Sequence, residues 1–351
     1  MATRNNIFEM SADALAQWLA EQGEPPYRAG QILSWLCQRY EVAFNHMTNL
    51  PLRLRTALAE KFAALPLEEA DRAQSTDAQT AKFLFKLADG EHIESVSMAD
   101  SGRTTFCISS QVGCPLNCRF CATGAAGFVR NLTTGEILAQ VQAMGRAVGA
   151  PRNIVLMGMG EPLLNLDSVM PALEALADPQ RFALSARHLS VSTAGIPVGI
   201  ERLAACSVRP NLALSLNSPF NDERSNLMPV NRRFSLDQVL DACEHYVEAT
   251  GRRILLEYVL LGGVNTSKRH AAATARLARR LHATVNLIAF NPVDGSGFSQ
   301  PERAEVQQFR LALEAAGVEV CQRFRRGQQI AAGCGQLRGR HRRSKAPSDH
   351  S

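Results

Sequence analysis

Over the first sixty residues, apolar positions recur at the spacing of one helix face. SADALAQWLAEQ, YRAGQILSWLCQRY and PLRLRTALAEKF all carry this pattern, with Ser11 suited to cap the first and Pro25-Pro26 separating it from the second. These stretches predict a small helical domain. AKFLFKL and HIESVSM then flank Asp89-Gly90, a strong turn signal between alternating runs, and predict a β-hairpin. From about residue 104 short apolar runs alternate with amphipathic stretches. Strands are expected at TTFCISS, NIVLMG, HLSVST, NLALSLN, ILLEYVLL, ATVNLIAF and VEVCQRF, with helices at 134–147, 235–249, 267–281 and 301–316 between them. Such alternation requires a parallel sheet with crossover helices, open or curled into a complete or partial barrel. In a barrel the ligand site lies at the C-terminal ends of the strands.

Composition adds three limits. At 351 residues and 46% apolar content, the chain can bury the core of one large domain with an appendage or of two ordinary domains. The N-terminus lacks the apolar core of a secretory signal, and no apolar run is long enough to cross a bilayer, so a cytoplasmic protein without a membrane partner is expected. Nine cysteines in a reducing compartment are then metal ligands or catalysts where they cluster, not a disulfide framework. Charge is uneven. Arg323, Arg325, Arg326, Arg338, Arg340, Arg342, Arg343 and Lys345 form a C-terminal block without an acid, while elsewhere acids outnumber bases by 33 to 30. A block of this kind suits a polyanion such as RNA or is simply a solvated tail.

The candidate chemistry falls at the strand ends. Cys114, Cys118 and Cys121, spaced Cys-x3-Cys-x2-Cys after the TTFCISS strand, can ligate three corners of a [4Fe-4S] cubane. The fourth iron is then open to the amino and carboxylate groups of S-adenosylmethionine (SAM). Structural zinc would need a fourth ligand, and neither a His nor a second cysteine pair accompanies the trio. Gly158-Met159-Gly160-Glu161-Pro162 ends NIVLMG; its glycines permit close backbone approach, and Glu161 can accept a bond from a ligand ammonium. Ser192, Ser215-Leu216-Asn217 and Asn291 end further strands. Each alone also reads as a turn or a helix cap. Together they point to one mouth.

With these segments in view, the chain resembles the radical SAM methyltransferases of the RlmN and Cfr family. The likeness is carried by CISSQVGCPLNCRFCATG, VLMGMGEPLLN, LSVSTAG, LALSLNSP, LIAFNP and IAAGCGQL, over roughly residues 10 to 340. It implies a partial (β/α)6-type radical SAM barrel over 104–326. A helical RNA-binding domain over 1–75, a hairpin and linker over 76–103, and a cysteine loop with basic tail over 327–351 complete the expected organisation. The implied cofactors are a [4Fe-4S] cluster held by Cys114, Cys118 and Cys121, and SAM held by Gly160, Glu161, Ser192, Ser215, Leu216, Asn217 and Asn291.

The resemblance also gives roles to two outlying cysteines. Cys334, flanked by Gly333 and Gly335, would be methylated by displacement and lose hydrogen to a 5'-deoxyadenosyl radical, so that the carbon radical adds to an adenine ring. Cys107 would then attack the bridging sulfur, forming a Cys107–Cys334 disulfide and releasing product, while Glu94 accepts the ring proton. From its strand alone, Glu94 reads as a solvent-facing residue. Cys37, Cys206, Cys243 and Cys321 lie on apolar patterns and read as inert core. Asn217 departs from the His that many relatives carry. The implied substrates are an adenosine of 23S rRNA and, for some members, the anticodon-adjacent adenosine of tRNA; read from the residues, Arg28, Arg39, Arg53, Arg55 and Lys61 either extend the RNA footprint or, for most of them, are solvated helix faces. Methylation at C2 is expected, with Cfr-like C8 methylation as the alternative. A monomer served by an electron donor such as flavodoxin or ferredoxin is expected. Rival readings are another radical enzyme on the same barrel, which would have no use for Cys107 and Cys334, and a non-catalytic RNA-binding protein with a structural metal.

Overall fold

The computed structural model describes residues 4–293, 295–322 and 330–338. Apart from Arg338, the basic block falls outside the described residues. The N-terminal segment forms strand β1 (Asn5–Asn6), helices α1 (Ala12–Glu21), α2 (Arg28–Leu33) and α3 (Leu52–Lys61), and strand β2 (Phe62–Ala63), which pairs in parallel with β1. Ser11 Oγ accepts the Ala14 N–H at 3.1 Å, so the expected cap starts α1. Leu15 and Leu19 of α1 and Leu54 and Leu58 of α3 are buried, at the four-residue spacing of one helix face. Phe8 stacks on Phe182 at 6.3 Å, and one continuous core runs from this segment into the barrel.

Next come β3 (Glu68–Gln74), β4 (Thr80–Lys86), β5 (His92–Asp100) and β6 (Arg103–Cys107), paired antiparallel in that order. The expected hairpin is β4–β5, with Lys86 opposite His92. β3 lies in the stretch read from the sequence as part of the helical domain. It is the edge strand of the sheet, and its residues are exposed or half-buried, so it lacks the buried alternating face that would mark a strand.

After β6 a small antiparallel pair, β7 (Gln111–Gly113) and β8 (Phe128–Asn131), brackets the short helix α4 (Ala122–Ala125). The chain then alternates: α5 (Thr134–Val148), β9 (Asn153–Leu156), α6 (Leu166–Ala177), β10 (Leu189–Thr193), α7 (Pro197–Ala204), β11 (Asn211–Ser215), α8 (Asn221–Leu227), α9 (Leu236–Thr250), β12 (Ile254–Leu260), α10 (Lys268–Arg280), β13 (Thr284–Ala289), α11 (Arg303–Ala315) and β14 (Val320–Gln322). Capping boxes at Thr133/Glu136 and Ser235/Gln238 fix where α5 and α9 begin.

One ten-stranded sheet runs β14-β13-β12-β11-β10-β9-β6-β5-β4-β3, parallel from β14 to β6. The outer side of β6 is taken by β5 and not by β14, so the parallel strands make a partial barrel, as expected, with the hairpin continuing the sheet. Cys37, Cys206 and Cys243 are buried, but Cys321 is exposed. The core reading fails there because β14 is a sheet edge. Among the described residues no helix is long and apolar enough to cross a membrane.

Candidate active site

A cavity of ≈ 510 Å³ opens at the C-terminal ends of the parallel strands. Cys114, Cys118, Cys121, Cys107 and Cys334 line it, together with Gly160, Glu161, Ser192, Ser215, Asn217 and Asn291. Segments nearly 230 residues apart in sequence thus share one site.

The cluster loop is held by close backbone contacts. Cys114 N–H donates to the Gly127 carbonyl at 2.8 Å, and a Cβ on Gly113 (φ 76°) would lie 1.9 Å from that oxygen. A Cβ on Gly124 would lie 3.0 Å from Cys118 N. Burial pushes the Cys114 thiol up to about 12, with Glu161 and Cys121 adding to the rise. It raises Cys118 well above the usual thiol range, where only the Arg224 charge opposes it. Such thiols become thiolates when they gain a positive partner, and a metal centre is one. Among the described residues no three ligating side chains converge on a point for a single ion. A cubane takes its three thiolates at separate corners, and the all-sulfur donor set fits it.

The Gly158–Pro162 turn is pressed against the segment after β6. A Cβ on Gly158 would meet the Ile108 carbonyl at 2.7 Å, and one on Gly160 (φ 106°) would meet Gln111 Cβ at 2.6 Å. Glu161 is 3% exposed. Its Oε2 accepts the Ala194 N–H at 2.8 Å, its Oε1 accepts the Leu163 N–H at 3.2 Å, and Gln111 Oε1 accepts its own N–H at 2.8 Å. Burial raises Glu161 to about 7, although its hydrogen bonds pull the other way. A ligand ammonium would reverse that rise, which suits Glu161 to the amino group of SAM.

Several contributors carry no motif. Arg224 of α8 is fully buried. Its guanidinium donates to the carbonyls of Leu216 (3.1 Å), Ala194 (2.5 Å) and Ser215 (3.1 Å) and to Asn231 Oδ1 (2.6 Å), tying together the ends of β10 and β11. Burial lowers it to about 10. Glu257, 7% exposed in mid-β12, accepts from Ser192 Oγ at 3.5 Å and from Asn286 Nδ2 at 3.4 Å. One acid in an apolar run, ILLEYVLL, was the only available signal for Glu257; nothing local marks Arg224. The side chain of Leu216 is fully buried, and its backbone meets Glu257 and Arg224. Asn217 has φ 55°, a conformation Asn tolerates well. Its Oδ1 accepts the Val259 N–H at 2.9 Å and its Nδ2 donates to Met228 Sδ at 3.2 Å, so both ends of its carboxamide hold the fold.

Cys107 ends β6 between Val96 and Val155 and is buried; Cys334 is exposed on its loop. That loop seats on the cluster segment, with Ala122 N–H donating to Gly335 O and Thr123 Oγ1 to Leu337 O, each at 2.7 Å. A Cβ on Gly333 would lie 2.4 Å from Asn291 Nδ2. The expected Cys107–Cys334 disulfide is not present, both side chains being thiols. Glu94 corrects its strand-based reading. It is 3% exposed, ion-paired with Lys82 at 2.8 Å, and accepts the Arg338 N–H at 2.6 Å. The Cys334 loop covers a strand face that the hairpin sequence alone leaves open.

Comparison with known proteins agrees with this geometry. Residues 108–275 match the radical SAM superfamily, and residues 5–64 match the ribosomal RNA large subunit methyltransferase N-terminal domain. A probable dual-specificity RNA methyltransferase RlmN from Rhodopirellula baltica is 44% identical over 95% of this chain and 91% of its own length. The dual-specificity RNA methyltransferase RlmN of Pelobacter propionicus is 40% identical over 99% of this chain and 100% of its own. A crystal structure of a radical SAM methyltransferase from Sphaerobacter thermophilus, 42% identical, superposes with a TM-score of 0.92 over 96% of this chain and 100% of that one. The two family matches and the full-length likeness show that the chain belongs to the RlmN family of radical SAM RNA methyltransferases.

Proposed function

We propose that this enzyme methylates C2 of an adenosine in 23S rRNA and of the anticodon-adjacent adenosine in tRNA, acting as a cytoplasmic monomer reduced by flavodoxin or ferredoxin. The observation that carries this reading is the shared cavity of Cys107, Cys334 and the cluster cysteines, which a radical enzyme without a thiol-bound methyl has no reason to assemble. Dual specificity is what the relatives are named for, and they favour C2 over the Cfr-like C8 alternative.

Cys114, Cys118 and Cys121 hold the cluster, and Gly160, Glu161, Ser192, Ser215, Leu216, Asn217 and Asn291 hold SAM. Bound there, the two groups supply methyl transfer to a thiol and one-electron generation of a carbon radical. The chain does the rest. Cys334, on an exposed loop, carries the methyl carbon to the base. Cys107, shielded from solvent at the end of β6, attacks the Cys334 sulfur; the S–S bond forms as the S–C bond breaks, the carbon leaves with that electron pair and takes up a proton to become the methyl, and two-electron reduction of the disulfide restores both thiols. Glu94 accepts the proton displaced from the ring. The helices α1 to α3 and the basic C-terminal tail supply phosphate contacts, and a buried adenine must be splayed out to reach the cavity.

Nucleoside mass spectrometry of rRNA and tRNA from cells with and without the gene tests the reading. Loss of 2-methyladenosine on deletion is the expected result. Loss of 8-methyladenosine instead would move the activity to C8, and no change in either would end the proposal.

A further inference from the structure

We propose that Lys82 is a positioning residue for this reaction, and that the Lys82–Glu94 pair is the latch holding the Cys334 loop over the barrel mouth. Lys82 projects from β4 and Glu94 from the neighbouring β5, with Nζ 2.8 Å from Oε1 and side chains only 17% and 4% exposed. The pair grips both ends of one loop. Lys82 Nζ also donates to the Ala331 carbonyl at 3.4 Å, and Glu94 Oε2 accepts the Arg338 N–H at 2.6 Å. Cys334 lies between these two anchors. On the barrel side the loop is held by neutral bonds, from Ala122 N–H, Thr123 Oγ1 and Gln336 Nε2, the last reaching the Pro292 carbonyl at 3.3 Å. Among these contacts the charged ones are on the hairpin side, and bonds to ionised groups are about twice as strong as neutral ones.

The arrangement has a consequence for turnover. Engaged by Lys82 on one oxygen and by Arg338 N–H on the other, Glu94 is sealed beneath the loop that bears the methyl-carrying thiol. An incoming base reaches Glu94 only once Arg338 lifts away, so lifting the loop exposes the proton acceptor and frees Cys334 in one movement. Lys82 stays with Glu94 through that movement and keeps the carboxylate aimed. This consequence rests on the proposed role of Glu94, whereas the anchoring of the loop does not.

Hydrogen–deuterium exchange of the cluster-loaded enzyme separates the two. In Lys82→Met, peptides spanning 330–338 should exchange about tenfold faster than in the wild type, as expected for losing a hydrogen bond to a charged group. Peptides from α5 should not change, and Lys82→Arg should restore the slow exchange. Steady-state methylation of an RNA fragment should show kcat reduced about tenfold in Lys82→Met, with KM for RNA unchanged. Unaltered exchange at 330–338, an equal rise in α5, or an Arg variant behaving like Met would overturn the latch. Faster exchange with normal kcat would remove Lys82 from the reaction. Were the wild type to yield no methylated adenosine, the function would fall, and the exchange contrast would still decide whether the loop is anchored here.

Discussion

Glu161→Gln should change the stability of the protein in opposite directions at the two ends of the accessible pH range. Burial raises the Glu161 carboxyl from 4.5 to about 7, so the folded state binds its proton more tightly than the unfolded state does. Stability from this group is fully present below pH 4.5, falls as pH rises, and is gone above pH 7, the reverse of the usual carboxylate. The whole effect is about 3 kcal/mol, of which roughly 2.5 kcal/mol lies between pH 5 and pH 8. Gln cannot ionise, and with one acceptor oxygen it leaves either the Ala194 or the Leu163 N–H unpaired, a cost of about 1 kcal/mol at every pH. The variant should therefore be slightly less stable than wild type near pH 4.5 and about 2 kcal/mol more stable at pH 8. Urea unfolding of the cofactor-free protein at a series of pH values measures this, and other titrating groups cancel in the difference between the two proteins. Parallel curves across that range would refute the reasoning. The same ionisation predicts that SAM affinity rises with pH through about 7 in the wild type and loses that dependence in the variant.

Cys107→Ala should leave enzyme covalently tethered to RNA through Cys334, seen as a band on a denaturing gel that the Cys107→Ala/Cys334→Ala double variant lacks; free methylated product from the single variant would contradict the assignment. Gly113→Ala drives a Cβ to 1.9 Å from the Gly127 carbonyl at φ 76° and should abolish cluster loading, measured as iron per chain after anaerobic reconstitution. Full iron content there would show that the loop relaxes. Arg224→Met leaves three buried acceptors and the half-buried Ser215 carbonyl without their donor, at about 1–3 kcal/mol for each buried one, so the urea midpoint should fall even though roughly 3 kcal/mol is regained by removing a charge that burial lowers to about 10. A urea midpoint equal to wild type would mean that those carbonyls find other donors.

Strand and helix order was legible because the helices bury one face, as the spacing of Leu15 and Leu19 in α1 shows, while the parallel strands are short apolar runs buried on both faces, as at Leu212, Ala213 and Leu214 of β11. The Ser11 cap was legible for a local reason, its hydroxyl bonding backbone only three residues ahead. β3 was not, since an edge strand with both faces wet has no hydrophobic period to read. Cys321 looked like core because its apolar neighbours do not disclose that β14 ends the sheet.

The sequence by itself singled out the Cys-x3-Cys-x2-Cys loop, the Gly158–Pro162 turn and the polar strand ends as candidates, because backbone geometry and donor chemistry of this kind are confined to a few consecutive residues. The meaning of Glu94, Lys82 and Arg224 was decided only by tertiary structure. Each is a charged side chain whose partners stand far away in sequence: Ala331 and Arg338 for the hairpin pair, Ala194 for the arginine. A charge is read as solvated until folding removes the water, and no local pattern records which distant carbonyl or amide will replace it.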